Sequence, residues 1–316
     1  METVLSVKNL NKSFGSKHII KNATFDVYAG EIFGFLGPNG SGKTTTIKMI
    51  MGFLFPDSGD IEICGYDVKK DYEKAMNLVG GIVENPEMYK DMTGMQNLHM
   101  YGRLHDGVTQ ERMNEVIEIV GMQARANEKI KKYSLGMKQR IGVAQAILHR
   151  PRLLILDEPT NGLDPAGIKE LRDILKKLAH EENVAVLVSS HMLAEMELMC
   201  DRVAIIDKGT ILDVKPIDEI LHMAAKQETY RFELDPTQVE LAKQVIISVY
   251  GEEIVTGIEV LESGRVMINV AVVSDIVPAI NKILVENNVS VYTIGRIENS
   301  LEEAFIEITG GGLTIA

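Results

Sequence analysis

The chain has 316 residues, of which 45% are hydrophobic, and a formal net charge of −12. Its length allows one large α/β domain and a smaller one, while its negative charge argues against broad electrostatic binding to nucleic acid. No apolar run approaches the roughly 18 residues that span a bilayer, and the first residues lack the pattern of an export signal, so we expect a cytoplasmic protein.

The first predicted elements are strands at residues 4–7 and 23–27, with Phe14 and Gly15 in the turn region between them. An aromatic ring shortly before a nucleotide-binding loop can stack on a base, but phenylalanine is also a common core residue. Phe14 alone leaves both interpretations open.

A glycine-rich loop follows an apolar run at residues 32–36 and precedes a helical pattern. It fits the P-loop pattern G-x-x-x-x-G-K-[ST], whose backbone N–H groups and lysine bind phosphates and whose hydroxyl binds Mg²⁺. A chance match is expected in roughly 1% of chains of this length. We therefore predict that nucleotide phosphates bind to the nine residues Gly37, Pro38, Asn39, Gly40, Ser41, Gly42, Lys43, Thr44 and Thr45.

The middle of the chain combines a strand at 78–83 with a mostly helical stretch from 93 to 121. The strand leads into Glu84, at a position where α/β proteins often place functional groups. Ser134 is a good N-cap for the next helix and, with Gly136, could also bind an anion. The pattern of the residues leaves the choice between cap and anion site open.

Two acids, Asp157 and Glu158, follow the buried run 153–156. In a P-loop NTPase the first acid holds Mg²⁺ and the second can accept the proton of the attacking water. The next predicted strand, 184–188, leads to His191, which could reach a γ-phosphate and sense its loss. Lys43, Glu158 and His191 are thus the predicted catalytic residues, and Thr44 and Asp157 the predicted Mg²⁺ ligands.

The pattern changes near residue 223. Predicted elements between 229 and 294 follow the order β-α-β-β-α-β of a ferredoxin-like fold, and a last helix is predicted from Ser300 to Gly310. We therefore expect an α/β P-loop NTPase domain at 1–222, with a mixed sheet core and a helical insert at about 86–150, and a small α+β domain at 223–316.

Taken together, Phe14, GPNGSGKTT, Glu84, YSLGMKQR, LLILDEP, NGLD and His191 resemble the ATP-binding subunit of an ABC transporter. The resemblance covers about residues 1–222. It implies a head-to-tail dimer in which Ser134 and Gly136 of one copy contact the γ-phosphate held by the other. It also implies that Phe14 stacks on the base, that Asp164 of NGLD belongs to the nucleotide site, and that separate integral membrane subunits hold the chain on the inner face of the membrane.

Two departures from the common family pattern are visible. The signature reads Ser-Leu-Gly-Met-Lys-Gln, and Glu84 stands where the family generally has glutamine. In both variants the chain resembles exporters linked to bacitracin resistance and lantibiotic immunity. Its Leu-Glu-Glu-Ala-Phe segment near the end is also similar to a segment of these exporters. As a carboxylate, Glu84 can still serve as an Mg²⁺ ligand, but it adds negative charge near the phosphates. It also cannot donate hydrogen bonds as an amide does.

Three functions are compared on this basis: an ATPase that drives an exporter, a soluble ABC-type ATPase of translation or DNA repair, and an ATP-gated regulatory or immunity protein. Translation factors of this type usually carry two ATPase units, and the repair type contains long heptad coiled coils. Neither feature occurs here, so the sequence favours the exporter subunit. The transported substrate would contact the membrane subunits and cannot be read from this chain.

Overall fold

The structure is a computed structural model that describes residues 2–224, 228–251, 254–261, 263–272 and 274–297. The chain forms two compact units, the first extending to Ile217 and the second beginning at Asp218. Each unit has its own hydrophobic core. Within these described ranges, no helix is long and apolar enough to cross a membrane.

The first unit alternates strands and helices. Its strands are β1 Thr3–Phe14, β2 Lys17–Tyr28, β3 Ile32–Leu36, β4 Ser58–Ile63, β5 Tyr66–Asp67, β6 Val79–Ile82, β7 Leu153–Asp157, β8 Ala185–Ser190, β9 Arg202–Asp207 and β10 Thr210–Pro216. Its helices are α1 Lys43–Ile50, α2 Tyr72–Met76, α3 Gly94–Gly102, α4 Gln110–Ile119, α5 Leu135–Ala146, α6 Pro165–His180 and α7 Leu193–Met199, and α8 Ile217–Ala224 spans the boundary between the units.

A six-stranded sheet with the order β10-β9-β3-β8-β7-β6 forms the centre of this unit. The five neighbouring strands β9, β3, β8, β7 and β6 are parallel to one another, and β10 is antiparallel to β9. The sheet is therefore mixed, as predicted. The runs at β3 and β7 are buried at every position, as expected for central parallel strands. Since parallel strands end at the same edge, the loops after β3, β7 and β8 meet there.

A second, antiparallel sheet has the order β2-β1-β4-β5. The predicted strand at 4–7 lies near the start of the longer β1 and the one at 23–27 near the end of the longer β2. The two strands are joined by a turn at Gly15 with a φ of 58°. The rings of Phe25, Phe33 and Phe35 connect the two sheets, with centroid separations of 5.5 Å and 5.4 Å. The β1–β2 hairpin therefore places Phe14 at its tip, opposite Lys17.

The region between β6 and β7 is helical, as the sequence predicts. Thr93 starts α3 with a reciprocal capping box to Gln96, and Ser134 caps α5 by accepting the Met137 N–H at 3.2 Å. Gly121, which follows α4, has a φ of 64°, the left-handed conformation common after a helix end. The Ser134 cap was recognisable from the sequence because the N–H that it accepts lies only three residues further along the chain.

The second unit has the element order β-α-β-β-α-β. Its elements are β11 Glu228–Leu234, α9 Val239–Tyr250, β12 Val255–Val260, β13 Val266–Val272, α10 Val277–Glu286 and β14 Val291–Ile297. The antiparallel sheet runs β12-β13-β11-β14, and its core includes Phe232, Ile246, Ile268 and Leu284. This is the ferredoxin-like order that the sequence predicts. The predicted helix from Ser300 to Gly310 lies outside the described residues.

Candidate functional site

The loop between β3 and α1 needs glycine for steric reasons. Gly42 precedes α1 with a φ of 113°, and a Cβ there would lie 2.4 Å from Ile20 Cδ1. A Cβ on Gly37 would lie 2.2 Å from the carbonyl oxygen of Ile206. Both distances are below any real carbon contact, so side chains at these positions would push the loop away from the sheet. The glycines thus allow the loop to fold closely over the strand ends.

The ammonium group of Lys43 is buried beneath this loop, with only 5% of the side chain exposed. It donates hydrogen bonds to the carbonyl oxygens of Gly37 at 2.6 Å and Pro38 at 3.3 Å, and it lies 3.3 Å from Glu158 Oε1. A buried charge is tolerated only when it is paired and hydrogen-bonded in this way.

The two acids after β7 are held by Ser189 on the adjacent strand. Ser189 Oγ donates to Asp157 Oδ1 at 2.6 Å and accepts the backbone N–H of Glu158 at 2.9 Å. Glu158 has a φ of 49°, a left-handed conformation that is unfavourable for a residue with a side chain. Such conformations persist where surrounding contacts enforce them, and they concentrate at functional sites.

His191 contacts the same carboxylate from the end of β8. Its Nδ1 lies 2.8 Å from Glu158 Oε2. An ionised carboxylate can only accept hydrogen bonds, so in a hydrogen bond with ionised Glu158 the ring nitrogen is the donor. β7 and β8 are neighbours, as the sequence predicts, and their register places Asp157 beside Ser189.

A surface cavity connects the P-loop, Glu158 and the β1–β2 hairpin. Its walls are formed by Phe14, Lys17, Ile19, Asn39, Gly40, Gly42, Lys43, Thr44, Thr45, Glu158, Asn161 and His191. Phe14 is 52% exposed, so it is not a core residue, and part of its ring is accessible for stacking. Lys17, Ile19 and Asn161 were not predicted. The pairing of β1 with β2 brings the first two to the cavity, and no short motif signals such a pairing.

Eight predicted residues lie outside this cavity wall: Gly37, Pro38 and Ser41 belong to the P-loop and Asp157 ends β7, and the remaining four are Ser134, Gly136, Asp164 and Glu84. Ser134 is exposed at the start of α5, and a Cβ on Gly136 would lie 3.9 Å from Leu163 Cδ2 and from Gly167 Cα, near the start of α6. Asp164 caps α6 by accepting the Gly167 N–H at 2.9 Å. Their assignment to the nucleotide site stays a prediction.

The fourth residue is Glu84, whose carboxylate lies 3.1 Å from the ammonium of Lys48 on α1. Glu84 follows β6 by two residues, and this strand pairs with β7. Its role as an Mg²⁺ ligand stays a prediction.

The groups around the P-loop fit a bound triphosphate and a hard cation. Ser41 Oγ is buried in the P-loop without a hydrogen-bond partner, which leaves one donor unused. Thr44 lines the cavity, and Asp157 ends the strand β7. Both are oxygen ligands of the kind that Mg²⁺ prefers when substrate phosphates complete its coordination.

Comparisons with known proteins agree with this geometry. A family model described as "ABC transporter" matches residues 20–161. The chain is 46% identical to the uncharacterized ABC transporter ATP-binding protein YhcH of Bacillus subtilis, over 98% of this chain and 97% of that protein. It is 39% identical to the bacitracin transport ATP-binding protein BcrA of Bacillus licheniformis, over 99% of both. A solved ATP-binding subunit of an ABC transporter superposes with a TM-score of 0.62 at 29% identity, covering 70% of this chain and 92% of that chain.

Proposed function

Because this chain belongs to the family of ABC transporter ATP-binding proteins, we propose that it couples ATP binding and hydrolysis to export through separate membrane subunits. The observation that carries this proposal is the joint contact of Lys43 and His191 with Glu158 in the cavity that Phe14 borders. This arrangement provides a phosphate-binding cation, an acceptor for a proton and an aromatic surface on which the adenine ring of the nucleotide can stack.

We assign roles to the residues of the cavity as follows. The P-loop amides and Lys43 bind the β- and γ-phosphates, and Phe14 stacks on the adenine. Thr44 and Asp157 hold Mg²⁺, which when bound neutralises charge that develops on the phosphates. Glu158 accepts the proton of the attacking water, and His191 orients this carboxylate and senses the γ-phosphate.

The exposed N-terminus of α5 supports the assignment of a second copy of the chain as partner. Ser134 and Gly136 lie outside the cavity wall of their own copy, yet Ser134 is accessible at a helix N-terminus, where anions bind favourably. In a head-to-tail dimer this helix end would meet the γ-phosphate held by the partner, and Asp164, beside Gly136 at the start of α6, would lie at the same interface.

The names of the relatives suggest the cargo. Besides BcrA, one relative of Streptococcus pyogenes is named as a lantibiotic transport ATP-binding protein, and it is 36% identical over 68% of this chain. We propose an antibiotic peptide or drug as the exported substrate. The chain would then act in the cytoplasm on the inner face of the membrane, without a nucleic-acid partner.

Two measurements test the proposal. The purified chain should release heat on titration with Mg-ATP and should hydrolyse ATP. The Lys43→Ala variant should bind Mg-ATP more weakly and hydrolyse ATP more slowly. Affinity purification from membranes should recover an integral membrane protein. Absence of Mg-ATP binding would refute the ATPase assignment, whereas co-purification with ribosomes or nucleic acid and not with membranes would favour the soluble ATPase alternative.

A further inference from the structure

Helix α1 carries two lysines, and each pairs with a glutamate at a different strand end. Lys43 lies 3.3 Å from Glu158 after β7, and Lys48 lies 3.1 Å from Glu84 after β6. The first pair belongs to the phosphate site described above. The second pair lies outside the wall of the cavity.

The backbone holds Glu84 at the edge of the sheet where the other acids lie. β6 pairs with β7 in a register that aligns Ile82 with Leu156, so the chain segments leading to Glu84 and Asp157 leave the sheet side by side. Glu84 also has a φ of 68°, a conformation that side-chain-bearing residues adopt only where the local structure requires it. The loop therefore fixes the direction in which this carboxylate leaves the backbone.

Lys48 lies on the side of α1 that also carries Thr44. Residues four apart are neighbours on a helix surface, and Thr44 lines the cavity. The ion pair thus anchors Glu84 one helical turn from the position proposed for Mg²⁺. An acid at this place repels a triphosphate, which carries up to four negative charges, unless a cation offsets its charge.

We propose that Lys48 is a positioning residue for Glu84: its ammonium holds the carboxylate against α1 and offsets the charge that this acid brings near the phosphates. The proposal rests on the proposed function, since it presumes that ATP binds at the P-loop. Its specific consequence is that Lys48 matters for nucleotide binding only while residue 84 is an acid.

Isothermal calorimetry of four proteins tests this consequence: the wild type, Lys48→Met, Glu84→Gln and the double variant, each titrated with ATP in Mg²⁺ and in EDTA. Exposed ion pairs contribute modestly, so we expect Lys48→Met to raise the Kd for ATP in EDTA about threefold. In Mg²⁺ the increase should be smaller, because the cation screens the phosphates. The double variant should bind ATP within about twofold of Glu84→Gln alone.

A matched control is available at Lys74, which pairs with Asp71 at 2.8 Å on the surface of α2. Lys74→Met removes a comparable exposed ion pair without touching α1 and should leave the Kd unchanged. An equal loss of affinity from Lys48→Met in the Glu84→Gln background would overturn the proposal, because Lys48 would then act independently of the acid. A wild type that fails to bind ATP would instead refute the proposed function itself.

Discussion

Lys43 Nζ lies 3.3 Å from Glu158 Oε1, so the cation of the P-loop and the proposed proton acceptor are in direct contact. The other oxygen of Glu158 contacts His191 Nδ1 at 2.8 Å. Phosphate oxygens would compete with Glu158 for the lysine, because Lys43 is the cation that the P-loop directs at phosphate. Binding of the triphosphate is therefore expected to release Glu158 from Lys43 and leave it free to accept a proton.

The first prediction concerns Glu158→Gln. The amide fills the same space but cannot accept a proton from water, so ATP binding should persist while turnover falls about 100-fold or more. Calorimetry gives the affinity, phosphate release gives the rate, and gel filtration with Mg-ATP should show accumulation of a dimer. Unchanged turnover would remove Glu158 from the role of base.

The second prediction concerns Ser189, which bonds both acids from β8. Ser189→Ala leaves the Asp157 carboxylate and the Glu158 N–H each without this partner in a buried site. We expect a loss of about 1–3 kcal/mol in the free energy of unfolding and a kcat lowered about tenfold. Ser190→Ala is the matched control: Ser190 is equally buried, but its hydroxyl bonds the Met192 N–H. Equal kcat values for the two variants would contradict the assignment.

Local motifs allowed much of the site to be predicted, and long-range pairing explains what was missed. The P-loop, Asp157, Glu158 and His191 occur in short patterns whose strand context is visible in the sequence. Ser189 was not predicted, because its role depends on the register of β7 with β8. The Lys48–Glu84 pair was missed for the same reason, since it joins residues 36 positions apart. Strand β9 was also not predicted, nor was the edge strand β10, which carries no strong alternation.

The third prediction uses the absence of tryptophan from the chain. Phe14→Trp introduces a single fluorophore into the cavity wall, and its emission should change on titration with ATP if the ring stacks on the base. Phe14→Ala should raise the Kd for ATP about tenfold, in line with the 1–3 kcal/mol typical of stacking on a base, and Phe14→Tyr should preserve the wild-type value. An alanine variant with the wild-type Kd would show that the ring does not stack.

The fourth prediction concerns the ion pair between Arg202 on β9 and Glu31. Arg202 Nη1 lies 3.0 Å from Glu31 Oε1, and Glu31 is only 7% exposed. Burial raises the pKa of the Glu31 carboxyl, and Arg202 opposes this rise. Arg202→Met leaves the acid buried without its cation, and we expect the free energy of unfolding at pH 7 to fall by about 3–5 kcal/mol in urea titrations.

The pH dependence distinguishes this effect from a loss of packing. Without Arg202 the pKa of Glu31 rises further, so protonation in the folded state relieves the penalty as the pH falls. The stability difference between wild type and Arg202→Met should therefore shrink between pH 7 and pH 5. A difference independent of pH would indicate that lost contacts of the Arg202 side chain with Tyr28 and Phe33 dominate instead.

The fifth prediction concerns His149, which follows α5. Its Nε2 lies 3.0 Å from the carbonyl oxygen of Val79, and its ring stacks on His105 with a centroid separation of 4.2 Å. Burial, followed by the nearby His105, lowers the pKa of His149. The folded state thus resists protonation of this ring more than the unfolded state does. Stability contributed by neutral His149 is present above the unfolded pKa of about 6.5 and is lost as the pH falls below it.

His149→Gln tests the sign of this dependence. Glutamine can donate a hydrogen bond to Val79 but does not titrate, so the stability advantage of the wild type over this variant should decrease from pH 7.5 to pH 5.5 in urea titrations. His99→Gln, at an exposed position on α3, controls for the loss of an imidazole as such. An advantage that grows on acidification would mean that the folded state favours the protonated ring, and the lowered pKa would then be wrong.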